Sequence, residues 1–82
     1  PIFTGEPARS FTGIRETARA LGESSVIPVF LGGDHAITYP ILEGFEGVDD
    51  ITVVHLDAHM DYWEPSQNSP YDHSCCMWLA SR

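Results

Sequence analysis

The strongest constraint on what this chain can fold into is a punctuated alternation. Two short apolar runs, residues 26–31 and 51–56, are each followed at once by residues that turn the chain or carry charge, and a helix-patterned segment lies between them. The first run ends in Gly32-Gly33, a pair that lets the backbone turn sharply. A run this short and apolar throughout reads as a buried strand. Pro28 cannot donate to a ladder and is expected near the strand start. The second run carries Ile51, Thr52, Val53 and Val54, all β-branched. Strand, helix, strand with a crossover of this length implies parallel pairing, so the expected class is α/β with a parallel sheet. Two parallel strands alone leave exposed edges and too few covering layers. The sheet is therefore expected to be an incomplete portion of a larger one.

Helices flank these runs. Phe11, Ile14, Ala18 and Leu21 recur at three- and four-residue spacing and form one apolar stripe, with Arg15, Glu16 and Arg19 off it. Pro7 opens that pattern and Gly22 is its expected stop. A second helix is expected over Thr38–Phe45, with Thr38 as N-cap, Pro40 in the first turn and Gly47 near the end. A third opens near Ser74. Residues 1–7 and 61–71 read as loops, and Asp49-Asp50 as the turn before the second strand.

Composition narrows the function classes. The chain is 43% hydrophobic and 20% charged, which is globular rather than disordered. It has four Arg and no Lys against 12 acidic residues, a net charge of −8. Nucleic-acid binding rests on neutralising phosphates, and binding to anionic membranes also needs basic groups, so neither partner is expected. A small cationic substrate is compatible with that charge. The longest apolar run is far below the roughly 20 residues of a spanning helix. Cys75 and Cys76 are adjacent with no second pair, so no disulfide framework is expected, and a reducing, cytoplasmic setting follows. The first residue is Pro1 and no leader pattern is visible; the chain is expected to be part of a longer product.

The chemistry is concentrated in residues 55–61, His-Leu-Asp-Ala-His-Met-Asp. In extended chain alternate residues share a side, which would align Asp57, His59 and Asp61. Two carboxylates and an imidazole converging at the C-terminal end of a strand make a metal site of mixed oxygen and nitrogen character. That mix suits Mn²⁺, with Zn²⁺, Fe²⁺ or Ni²⁺ also open. The same edge of a parallel sheet is where α/β proteins bind ligands. Taken singly, an Asp or His after a strand more commonly caps a turn; three at this spacing favour a metal. His55 shares their parity but falls inside the strand pattern, and reads as an outer-sphere residue at best. In the turn after the first strand, His35 of Gly32-Gly33-Asp34-His35 is a fourth ligand candidate, with Asp34 capping the turn.

Those two motifs, Gly32-Gly33-Asp34-His35 and Asp57-Ala58-His59-Met60-Asp61, resemble the ureohydrolases, which include arginase, agmatinase and other amidinohydrolases. The text around them resembles the agmatinase branch most closely. The similarity runs from about Phe11 to Trp78, so residues 1–82 are expected to be the early-middle part of a larger domain. The resemblance implies a three-layer arginase-like fold and a binuclear manganese cluster, with His35 and Asp61 on one Mn²⁺ ion, His59 on the other and Asp57 bridging both. It further implies attack by hydroxide on a guanidinium carbon, releasing urea and a primary amine in polyamine metabolism, with His73 as the proton-shuttling histidine. Relatives are usually homo-oligomers. The nearest alternatives are an arginase-fold hydrolase of another carbon–nitrogen bond, such as formiminoglutamate or an acetylated amine, and a truncated product that only binds metal.

The sequence departs from that pattern twice. Ser74-Cys75-Cys76 follows His73 where the branch usually has Gly and then a small hydroxyl residue. The family's third motif, Ser-x-Asp-x-Asp, is absent. These 82 residues alone are accordingly expected to turn over no substrate efficiently. Cys75 and Cys76 read as packing residues, and Trp63, Tyr71 and Trp78 as aromatic walls or core.

Overall fold

The computed structural model describes residues 2, 5–47, 50–65 and 69–82. Asp49 and parts of both expected loops lie outside them. Helix α1 runs Pro7–Gly22, α2 Thr38–Phe45 and α3 Cys76–Ala80; single 3-10 turns, His35–Ile37 and His73–Cys75, lead into α2 and α3.

Helix α1 begins where its sequence suits a beginning. Pro7 occupies the first turn, where its missing N–H costs nothing and its fixed φ is already helical. The expected stripe is the packed face: Phe11 and Ala18 are buried, with Ile14 and Leu21 half-buried. Arg15 flanks that stripe and reaches across to α2, where its Nε and Nη2 donate to Glu43 Oε1 at 3.1 and 2.5 Å. Arg19 Nη2 donates to the Glu46 carbonyl at 3.0 Å, covering the end of α2. The two helices meet closely at Gly44, which is buried against Ala18.

The start of α2 differs from expectation. Thr38 has helical backbone angles and is the first residue of α2, not its cap. The 3-10 turn before it carries the capping instead, because Asp34 Oδ1 accepts the Ala36 N–H at 2.9 Å. Pro40 is buried in the first turn, and Gly47, with φ +76°, takes the left-handed conformation just past the helix end.

Helix α3 is pinned to the loop that follows the second apolar run. The Trp63 N–H donates to the Ser74 carbonyl and the Met77 N–H to the Asp61 carbonyl, both at 3.1 Å. Tyr71 packs edge-on against Phe11, with ring centroids 4.9 Å apart, tying the same loop to α1. Cys75 and Cys76 are both buried free thiols. Burial, and then the charge of Asp61, pushes the Cys76 thiol up to about 11. At pH 8 only about one Cys76 in a thousand would be thiolate. Native protein is therefore expected to resist iodoacetamide at that position and to react fully once unfolded, which peptide mass spectrometry would read directly.

The expected strands are not formed among the described residues. Residues 26–31 and 51–56 are irregular, and no backbone hydrogen bond joins them. The physical reason is visible in their exposure: Ile27 and Leu31 are 93% exposed and Leu56 92%. A strand needs a paired neighbour for its N–H and C=O groups and a layer over its apolar face. Neither run has either here. What packs instead is the three helices around Phe11, Ala18, Ala36, Pro40, Cys75 and Cys76.

Candidate metal centre

Two segments deliver the candidate ligands. His35 heads the 3-10 turn after Gly32-Gly33, with its neighbour Asp34 committed to capping. The other candidates follow the second apolar run, and the chain bends as it leaves that run. Asp57 Oδ1 accepts the His59 N–H at 2.9 Å, a local side-chain turn that breaks the extended alternation at Ala58-His59. Asp61 then adopts φ +49°, uncommon for a residue with a side chain. Its carbonyl is held by the Met77 N–H, so the start of α3 fixes this conformation. Asp57, His59 and Asp61 thus do not share a side through simple strand parity.

The resulting arrangement centres on Asp57, whose two oxygens face different partners. Oδ2 lies 3.4 Å from His55 Nε2 and 4.0 Å from His35 Nδ1. Oδ1 lies 3.7 Å from His59 Nδ1. His35 Nδ1 is also 2.6 Å from Asp61 Oδ2. The His35 and His55 rings stack with centroids 5.4 Å apart. One ligand atom from each of His35, His55, Asp57 and Asp61 lies within 4.8 Å of all the others. Two atoms bound to one ion at about 2.0–2.2 Å can be at most about 4.4 Å apart. Small side-chain rotations would close that difference, so these residues fit a divalent cation in spacing and in donor chemistry. The His59 N–H, with smaller contributions from His55 and His35, holds the Asp57 carboxyl below the usual carboxylate range. That favours the ionised form which metal binding requires.

His59 stands apart from the four-residue group. Its side chain is 83% exposed, and Asp57 Oδ1 is its one acidic contact among the described residues. His55, expected as an outer-sphere residue at best, stands within the group. The usable signal was its i, i+2 parity with Asp57.

His35, Asp57, His59 and Asp61 line one open cleft of about 730 Å³, with Trp63 and His73 on its wall. His73 is the first residue of the 3-10 turn before α3, its side chain is 65% exposed, and its Nδ1 is 3.8 Å from Asp72 Oδ1. Asp72 caps that turn by accepting the Ser74 N–H at 2.7 Å and the Ser74 hydroxyl at 2.5 Å. The hydroxyl bond, and then the N–H bond, holds the Asp72 carboxyl below its ordinary range. A depressed folded-state pKa means these bonds contribute stability above the unfolded pKa and lose it as pH falls through the folded one. Ser74→Ala is expected to raise the Asp72 pKa toward its ordinary value, measurable by NMR titration of the side-chain carboxyl.

The arginase family model matches residues 1–82. The chain belongs to the arginase family. It is 29% identical over 75 residues to the agmatinase of Bacillus subtilis and 35% identical over 75 residues to the N(1)-aminopropylagmatine ureohydrolase of Thermus thermophilus; each match covers 90% of this chain and 26% of the relative. To the mitochondrial agmatinase of Gallus gallus it is 47% identical over 49 residues, 58% of this chain and 14% of that protein. The chain thus spans about a quarter of the length of curated relatives such as the first two. No solved structure matches it. Among the described residues, no helix is long and apolar enough to cross a membrane.

Proposed function

We propose that the complete protein is an agmatinase-like amidinohydrolase that cleaves a linear guanidino compound to urea and an amine with two Mn²⁺ ions. The observation that carries this reading is the divided environment of Asp57, with His35 on the side of one carboxylate oxygen and His59 beside the other. A carboxylate so flanked can serve two ions at once, one through each oxygen. In this reading His35 and Asp61 would hold one ion and His59 the other, with Asp57 shared between them. When bound, such ions supply a nucleophile near neutral pH and stabilise charge developing at the attacked centre. The further carboxylates of the family's Ser-x-Asp-x-Asp motif are not among these 82 residues.

The chain's own residues account for the remaining steps. A guanidinium substrate is cationic, and the acidic balance of the chain attracts it toward the cleft. Trp63 lines the cleft wall, and an aromatic ring there suits a cationic guanidinium. His73 moves the proton to the departing amine, a task suited to an imidazole. Residues 26–31 and 51–56 become neighbouring parallel strands once the rest of the family's sheet covers them, which places both motifs at one sheet edge.

The test is product analysis with the full-length, manganese-loaded protein on agmatine, arginine, guanidinobutyrate and guanidinopropionate. Urea from at least one supports the reading. No urea from any of them overturns it. With formiminoglutamate or acetylated amines, ammonia, formamide or acetate in place of urea would assign the site to another carbon–nitrogen bond. Uptake near one ion per chain with no hydrolysis would indicate a metal-binding protein only.

A further inference from the structure

His55 has no assigned task in the reading above, yet it touches two of the proposed ligands. Its ring stacks on His35 at 5.4 Å with the planes 30° apart, and its Nε2 sits 3.4 Å from Asp57 Oδ2. Its side chain is 26% exposed, in a run whose residues are otherwise open to solvent. The imidazole is thus turned inward against the cluster.

We propose that His55 is a positioning residue for the metal centre, rather than a ligand. The stack limits rotation of the His35 ring, and the approach of Nε2 to within 3.4 Å of Asp57 Oδ2 limits rotation of the carboxylate. Imidazole donors to ligating carboxylates commonly play this part, and their loss costs about 10–100-fold in metal affinity. A ligand role fits less well. Its Nε2 lies 3.4 Å from a carboxylate oxygen, a natural acceptor for an imidazole N–H. Among the described residues, His55 Nε2 stands near a carboxylate of one residue, whereas His35 Nδ1 stands near carboxylates of two, Asp61 Oδ2 at 2.6 Å and Asp57 Oδ2 at 4.0 Å, the pair with which it would share an ion. The inference rests on the metal-centre reading and adds to it a residue outside the ligand set.

The experiment is Mn²⁺ titration of the full-length protein by calorimetry, with thermal unfolding of each metal-free variant alongside. His55→Phe keeps an aromatic ring for the stack and removes Nε2. His55→Gln removes the ring and keeps an amide donor of similar reach, and His55→Ala removes both. Stoichiometry is expected to equal wild type in all three. Affinity is expected to fall about 10–100-fold in His55→Ala and His55→Phe, with partial recovery in His55→Gln and little change in the metal-free unfolding midpoint.

Loss of a full equivalent of metal in every variant would make His55 a ligand and overturn the proposal. Unchanged affinity in His55→Ala would also overturn it. A lowered metal-free midpoint with no rescue by Gln would assign a merely structural role. If wild-type protein binds no Mn²⁺, the metal-centre reading itself fails and takes this one with it. Metal uptake by wild type separates that outcome from the other three.

Discussion

Asp57→Ala in the full-length protein is expected to abolish metal-dependent hydrolysis, with urea release falling by well over a hundredfold and bound metal dropping below one ion per chain. The size of the effect follows from how many groups depend on one side chain. Asp57 faces His55 and His35 through Oδ2 and His59 through Oδ1, and it also caps the His59 N–H. Removing an outer-sphere partner costs about 10–100-fold in affinity or activity, so removing a shared ligand must cost more. Asp57→Asn keeps the size and the cap for the His59 N–H but loses the charge. It is expected to restore the local turn and little of the metal binding. Metal analysis and a urea assay on the two variants separate charge from shape. An Asp57→Ala protein that keeps wild-type metal content would remove Asp57 from the centre.

The largest expected effect on stability lies away from the cleft, at Gly44. A Cβ there would stand 2.6 Å from Ala18 Cβ, 2.7 Å from the Arg15 carbonyl oxygen and 3.0 Å from the Arg19 nitrogen. Two of those three atoms belong to the backbone of α1 and cannot swing aside. Replacing a helical Gly by Ala normally gains up to about 1 kcal/mol from helix propensity. Overpacking a tight contact costs about 1–3 kcal/mol, so the clash wins and Gly44→Ala is expected to destabilise. Gly44→Val adds two methyl groups to the same gap and is expected to cost about 3 kcal/mol or more. Gly47→Ala is the contrasting control: nothing lies within 4 Å of its would-be Cβ, and only its φ of +76° is penalised, at about 1–2 kcal/mol. Urea denaturation midpoints of the three variants would order these effects. A Gly44→Val protein as stable as wild type would show that α1 and α2 do not approach as closely as described.

What was legible in the sequence tracks where the decisive interactions are local. The stripe of Phe11, Ile14, Ala18 and Leu21 identified α1 because helical periodicity and the face that packs on α2 are the same information. Pro40 and Gly47 marked the start and end of α2 for similar reasons. Thr38 was misread as a cap because Asp34, one short turn earlier, satisfies the first free N–H. The two apolar runs are strand-like by composition, but strand formation depends on neighbours that the described residues do not provide. At the candidate site, residue types were readable and directions were not. Parity in an extended chain aligned Asp57 with His59. The Asp57 bond to the His59 N–H bends the chain, and the left-handed Asp61 then returns its carboxylate to His35. The same parity puts His55 with Asp57, and that contact the structure makes.

The measurement that bears most directly on the central claim is urea release from agmatine by the full-length protein, before and after removal of bound metal by a chelator. The proposed chemistry requires urea with metal present, none after chelation, and recovery when Mn²⁺ is returned. Urea release that persists undiminished after bound metal has been removed would contradict it.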